Sequence, residues 1–272
     1  MISTFRICVG VLLLYAQTAA AQQQQPRTLL AIFAHPDDET WAAPVLSRYA
    51  RSGDKVYLAI ATKGEKGVSA HAGIPAGEPL AAARHDEAVC ACRQLGIEPP
   101  IFFNFNNREL DTGATAREVQ QKLHTLAERV RELIARLHPQ VIVTWGPEGG
   151  YGHNDHRLVS DAVTEVVQSE RPGPKLYYVG TTPDQAKLLN VWPVDKPGGW
   201  LDEWPGIDPA YLTVTITYDT KDRDAYHRAL ECHKSQFTPE GFTALEHALD
   251  QGWNGKVSFR PWFGGKSQDL FK

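Results

Sequence analysis

Short apolar runs alternate with amphipathic helical periodicity along most of this chain, and that alternation restricts the fold more than any other feature. Strand-like runs fall at Thr28–Ala34, Lys55–Thr62, Ile101–Phe105, Gln140–Trp145, Lys175–Val179 and Tyr211–Tyr218. Helical patterns lie between them, at Glu39–Arg51, Leu80–Leu95, Ala114–Leu137, His156–Gln168 and Lys221–Ser235. Alternation of this kind predicts an α/β fold with a mostly parallel sheet covered by helices on both faces. Gly53-Asp54 and Gly96 stand where helices should end.

A chain of 272 residues, 42% of them hydrophobic, has enough apolar surface for one substantial core, and a single domain over residues 28–272 is expected. Residues 1–21 read as a cleavable secretory signal: Arg6 is the positive start, Ile7 to Tyr15 the apolar segment, and Ala19-Ala20-Ala21 the cleavage site. The apolar segment is far shorter than the ~20 residues that span a bilayer, so no stable membrane insertion is expected after cleavage. Gln22 to Arg27 then forms a linker. A formal net charge of −4 makes nucleic acid an unsuitable partner. Three cysteines remain, Cys90, Cys92 and Cys232. Their odd number, and the placement of Cys90 and Cys92 on different faces of one helix, lead to the expectation of buried small hydrophobes and no disulfide framework.

The polar residues that end two of the apolar runs carry the chemistry. The first run closes on His35-Pro36-Asp37-Asp38-Glu39, and Val141-Ile142-Val143-Thr144-Trp145 is followed by Gly149-Gly150-Tyr151-Gly152-His153-Asn154-Asp155-His156. Ligands bind such sheets at the carboxyl ends of the strands. His35 and Asp38, three apart at a helix start, can face one point, and His156 is the candidate third ligand, which leaves one position of a zinc site open. The three acids could merely complement a helix N-terminus, but that explains neither His35 nor the second cluster.

His-Pro-Asp-Asp-Glu after a strand, Arg84-x-x-Glu87-Ala88, Gly152-His153-x-Asp155-His156 and His233-x-Ser235-Gln236 together resemble the LmbE-like (PIG-L) zinc de-N-acetylases, over about residues 28–236. Gly149-Gly150-Tyr151-Gly152 looks like the branch that deacetylates a glucosaminyl inositol in thiol biosynthesis. Asn154 departs from the proline commoner there. The resemblance implies a Rossmann-like single domain and Zn²⁺, with Fe²⁺ or another divalent ion as substitute, held by His35, Asp38 and His156. It further implies Asp37 as general base and contacts from Arg84 and Glu87 at the mouth of the substrate pocket. The chemistry expected of an N-acetylglucosamine deacetylase fits independently: a metal acidifies water and polarises the amide, and a carboxylate takes the proton and returns it to the departing amine. His153, oriented by Asp155, would stabilise the oxyanion, with Tyr151 as a further donor.

Alternative readings are a metal-dependent amidase on another N-acyl substrate, an Fe(II) oxygenase with a facial triad, and a non-catalytic carbohydrate-binding protein. Of the remaining histidines only His71, in the Lys63–Pro79 loop, has a route to the site, and that loop is expected to be mobile. Trp192, Trp200 and Trp204 lie in an irregular insertion and are candidates either for stacking on sugars or for packing. An exported enzyme, periplasmic or secreted, is expected to act on an envelope or extracellular amino sugar.

Overall fold

A computed structural model describes residues 26–107, 115–170, 172–189 and 204–272. The signal-like segment, Trp192 and Trp200 lie outside the described residues. Among the described residues seven strands form one sheet: β1 (Thr28–Phe33), β2 (Lys55–Thr62), β3 (Ile101–Phe105), β4 (Val141–Trp145), β5 (Lys175–Val179), β6 (Val214–Thr217) and β7 (Lys256–Pro261). Their order is β3-β2-β1-β4-β5-β7-β6. The first five are parallel, and β7 pairs antiparallel with both β5 and β6. The α/β architecture and mostly parallel sheet are as expected.

Every residue of β1 is buried, because helices cover both faces of the sheet. Leu29, Ala31 and Phe33 join the core beneath α1 (Ala43–Arg51), α2 (Glu78–Leu95), α5 (Pro183–Leu189), α6 (Thr220–Leu230) and α7 (Pro239–Trp253), while Leu30, Ile32 and Ala34 join the core beneath α3 (Ala116–Leu137) and α4 (Asn154–Ser169). Burying one leucine side chain contributes ~2 kcal/mol, so this strand is a principal anchor of the fold. Sequence order reverses between neighbours β1 and β4, which leaves a crevice beyond their carboxyl ends.

Three elements differ from expectation. The first helix begins as a short 3-10 turn at Asp38–Trp41 before α1, α6 stops at Leu230 rather than Ser235, and β6 is short because Pro209–Tyr211 forms its own turn. Helices α5 and α7 and strand β7 were not expected. No helix among the described residues is long and apolar enough to cross a membrane.

The expectation of no disulfide is corrected: Cys90 on α2 is bonded to Cys232 just beyond α6, 142 residues away, and Cys92 is free and buried. An odd count allows one pair and one core thiol, and the two faces that separate Cys90 from Cys92 decide which is which. In the chain-entropy account a closure this long restricts the unfolded chain by ~5 kcal/mol.

Candidate metal centre

The crevice between β1 and β4 gathers the two motifs. His35 follows β1, Asp37 and Asp38 open the 3-10 turn, His153 is the N-cap of α4, and Asp155 and His156 are buried in its first turn. The loop feeding α4 depends on glycine. At Gly149, with φ +73°, an added Cβ would lie 2.7 Å from the His153 carbonyl, and at Gly150 it would lie 2.7 Å from the Trp145 ring.

Ring-nitrogen partners define which atoms face the centre. His156 Nδ1 donates to the Gly149 carbonyl at 3.1 Å, which leaves Nε2 with a lone pair. His35 Nε2 lies 3.1 Å from Asp155 Oδ2 and 3.2 Å from Asn107 Oδ1, so its proton goes there and Nδ1 is left as an acceptor. These two acceptors face each other at 3.1 Å, and Asp38 Oδ1 is 3.3 Å from His156 Nε2. Nitrogens of His35, His153 and His156 all lie within 4.8 Å of one another. Two imidazole nitrogens and a carboxylate directed at one point form a donor set that a single cation satisfies. The residues therefore fit a divalent metal. His153 borders this cluster as well, beyond the three ligands expected.

Asp38 is held firmly. Its Oδ2 accepts from the Ala34 and His35 amides at 3.0 and 2.9 Å and from Trp145 Nε1 at 2.9 Å. Against the opposing effect of burial, His156 and His35 keep its carboxyl well below the ordinary range. Burial lowers the basicity of His35, but Asp155 and Asp38 outweigh it and raise the imidazole to about 9. Protonation and metal binding compete for that ring. Burial, with His35 and His156 nearby, lowers His153 to about 4. His153 Nδ1 accepts the Asp155 backbone amide at 3.1 Å, so the neutral ring has its proton on Nε2. The expected orientation of His153 by the Asp155 carboxylate is thus replaced: Asp155 Oδ2 is directed at His35. An imidazolium at His153 conflicts with the same geometry, whereas a neutral Nε2–H donor agrees with it. Tyr151 packs edge-on to His156 and His153, with ring centroids 5.1 and 6.0 Å away, and burial raises its phenol well above the usual value.

Asp37 borders the centre with a backbone φ of 99°, the left-handed region that aspartate rarely adopts. Burial pushes its carboxyl up to about 6, with Arg84 pulling the other way. Arg84 was expected, with Glu87, at the pocket mouth. Instead it is 3% exposed, and its guanidinium donates to Asp37 Oδ2 at 3.0 Å, to the Gly64 carbonyl at 3.1 Å and to the Pro36 carbonyl. Glu87 accepts from the Ser235 amide and hydroxyl at 2.6 and 2.7 Å. Both are internal ties, Arg84 to the Pro36–Asp37 turn and Glu87 to Ser235.

Sequence reasoning missed Trp145, which stacks on His156 at 4.3 Å, and Asn107, whose amide is held by buried Glu65. Trp145 ends an apolar strand and gave no signal beyond packing, and Asn107 lies far from both motifs in sequence. The Lys63–Pro79 loop reaches the site through Glu65, not His71, whose ring meets the Lys234 carbonyl at 2.9 Å. Hydrogen bonds from Ser69 and to Gly67 tie this loop to Gln236, in place of the free loop expected. Trp204 is buried against Trp41 and Tyr151, at 5.3 and 5.9 Å, which makes it a packing residue.

The protein is thus an α/β domain with a His/Asp centre at the switch point of its sheet. The family model described as PIG-L, GlcNAc-PI de-N-acetylase, matches residues 30–167, and the chain belongs to that family. It is 30% identical over 252 residues to a 1D-myo-inositol 2-acetamido-2-deoxy-alpha-D-glucopyranoside deacetylase of Actinosynnema mirum, covering 84% of this chain and 87% of that one. A protein of the same description from Rhodococcus opacus is 32% identical over 255 residues, 82% and 86% of the two chains. Among solved structures, N,N'-diacetylchitobiose deacetylase from Pyrococcus horikoshii shares the fold, with a TM-score of 0.63 at 18% identity, covering 87% of this chain and 84% of that one.

Proposed function

We propose that this protein is a metal-dependent hydrolase that removes the N-acetyl group from an N-acetylglucosamine-containing substrate. The observation that carries this reading is the convergence of His35 Nδ1, His156 Nε2 and Asp38 Oδ1 beside the half-buried carboxylate of Asp37. The names of its relatives, which act on an acetamido sugar, support it. His35, Asp38 and His156 would hold the ion, with His153 within reach. A bound divalent ion supplies Lewis-acid polarisation of the amide and lowers the pKa of water. Asp37, basic at neutral pH, takes the proton from the attacking water and returns it to the departing amine. Arg84 fixes the carboxylate for both transfers. His153, through Nε2–H, and Tyr151 offer donors to the developing oxyanion.

Release of acetate together with a free primary amine from a panel of N-acetylglucosamine glycans and small glucosaminides is the expected result. Cleavage of other N-acyl amides only would keep the amidase and discard the sugar. Binding of glycans without amine release would make the protein a carbohydrate-binding module.

The site of action in this reading is outside the cytoplasm. The Ala19-Ala20-Ala21 signature supports it, and so does Cys90–Cys232, since structural disulfides persist in oxidising compartments. Amino-terminal sequencing of the mature protein should begin at or near Gln22, and a product that keeps Met1 would contradict export.

A further inference from the structure

We propose that His233 is a positioning residue for Asp37, acting through Glu39. The inference rests on the reading of Asp37 as general base and extends it to a segment nearly two hundred residues away in sequence.

His233 and Glu39 are both fully buried, and His233 Nε2 lies 2.6 Å from Glu39 Oε1. The other oxygen of the same carboxylate accepts the backbone N–H of Asp37 at 3.1 Å. His233 therefore holds the carboxylate that holds Asp37. A non-glycine residue in the left-handed region is strained and persists only where its surroundings impose it. Two restraints impose it here, the Glu39 carboxylate on the backbone amide and Arg84 on the side chain. Arg84 is itself cradled by glycines: a Cβ at Gly64 or Gly67 would come within 2.6 or 2.7 Å of its Nη1.

His233 lies between helices, in residues 231–237, and has no regular element to fix it. Ties from outside fix that segment instead, among them the disulfide at Cys232, the two hydrogen bonds from Ser235 to Glu87, and the bond from Gln236 Nε2 to the Gly67 carbonyl at 3.0 Å. Helix α2 thus grips Asp37 twice, directly through Arg84 and indirectly through the segment it staples. A buried ion pair made for stability alone needs neither the shared Glu39 carboxylate nor the left-handed aspartate beyond it.

His233→Ala should lower kcat about tenfold with KM and metal content unchanged, because small misplacement of a reacting group is costly. His233→Gln, whose amide nitrogen reaches where Nε2 stood, should recover most of the rate. In an Asp37→Asn background the same His233→Ala change should leave the residual rate unaltered, since its route runs through Asp37. A crystal structure of His233→Ala should show Asp37 out of its left-handed φ. If His233→Ala does not fold, His233→Asn, too short to reach Glu39, carries the same expectations. Wild-type kcat in these variants, an equal fractional loss in both backgrounds, or parallel loss of metal would overturn the proposal. Asp37→Asn measured alongside separates the two failures. Normal turnover there overturns the base itself, whereas a crippled Asp37→Asn beside a normal His233→Ala overturns only the positioning role.

Discussion

Asp37→Asn is expected to bind the metal as the wild type does and to turn over ~10² to 10⁴ times more slowly, the usual contribution of a positioned acid or base. The change is nearly isosteric and lies next to a ligand without altering one. Asp38, one residue on, has both oxygens occupied by amides, an indole and the neighbourhood of His156, whereas the Asp37 carboxylate answers only to Arg84 among the hydrogen bonds described. Asparagine at position 37 keeps the shape and loses the basic oxygen. Steady-state rates together with metal analysis of the same sample check this, and near-normal turnover would remove Asp37 from the chemistry.

His156→Ala should have the opposite signature, with metal and activity disappearing together. Its Nε2 lies 3.1 Å from His35 Nδ1 and 3.3 Å from Asp38 Oδ1, and Trp145 stacks on one face of the ring. The loss of affinity should exceed the ~10- to 100-fold that follows removal of a hydrogen-bond partner of a metal ligand, the range expected for Asn107→Ala. Chelation should abolish activity in the wild type, and Zn²⁺ should restore it. Full metal occupancy in His156→Ala would exclude that residue from the centre.

The parallel half of the fold is legible in the sequence because strands buried on both faces are written as unbroken apolar runs, as in Leu29 to Phe33. The antiparallel edge is not. In β7 the burial alternates, and lysine, arginine and proline interrupt the run, so Lys256–Pro261 looks like a tail. Helix α7 does carry a start signal, Thr238 as N-cap followed by Pro239, but lies beyond the last motif. Within the candidate site, His35 stands out because it follows an apolar run directly, Asp38 because it lies three residues further on, and His156 because it closes the polar cluster that comes after the fourth run. The inward turn of Arg84 is not, since its partner Asp37 is remote in sequence and an Arg-x-x-Glu pair on a helix looks like a surface ion pair. The Cys90–Cys232 bond is hidden for the same reason: spacing along one helix says nothing about what stands opposite it.

The place of β7 in the sheet bears on how the protein is made. Its nearest neighbours β5 and β6 are synthesised earlier, yet they are joined only when β7 inserts between them. Until then β5 presents an open edge, the kind of surface on which unfinished chains associate. The residues that follow then fasten to the segment around β1 and α1, with Tyr49 accepting the Leu270 amide at 2.8 Å and Arg27 lying 4.1 Å from the centre of the Phe271 ring. A ribosome stalled or a protease acting before residue 256 would therefore leave a molecule with every proposed metal ligand and the proposed base in hand, and a sheet unable to close.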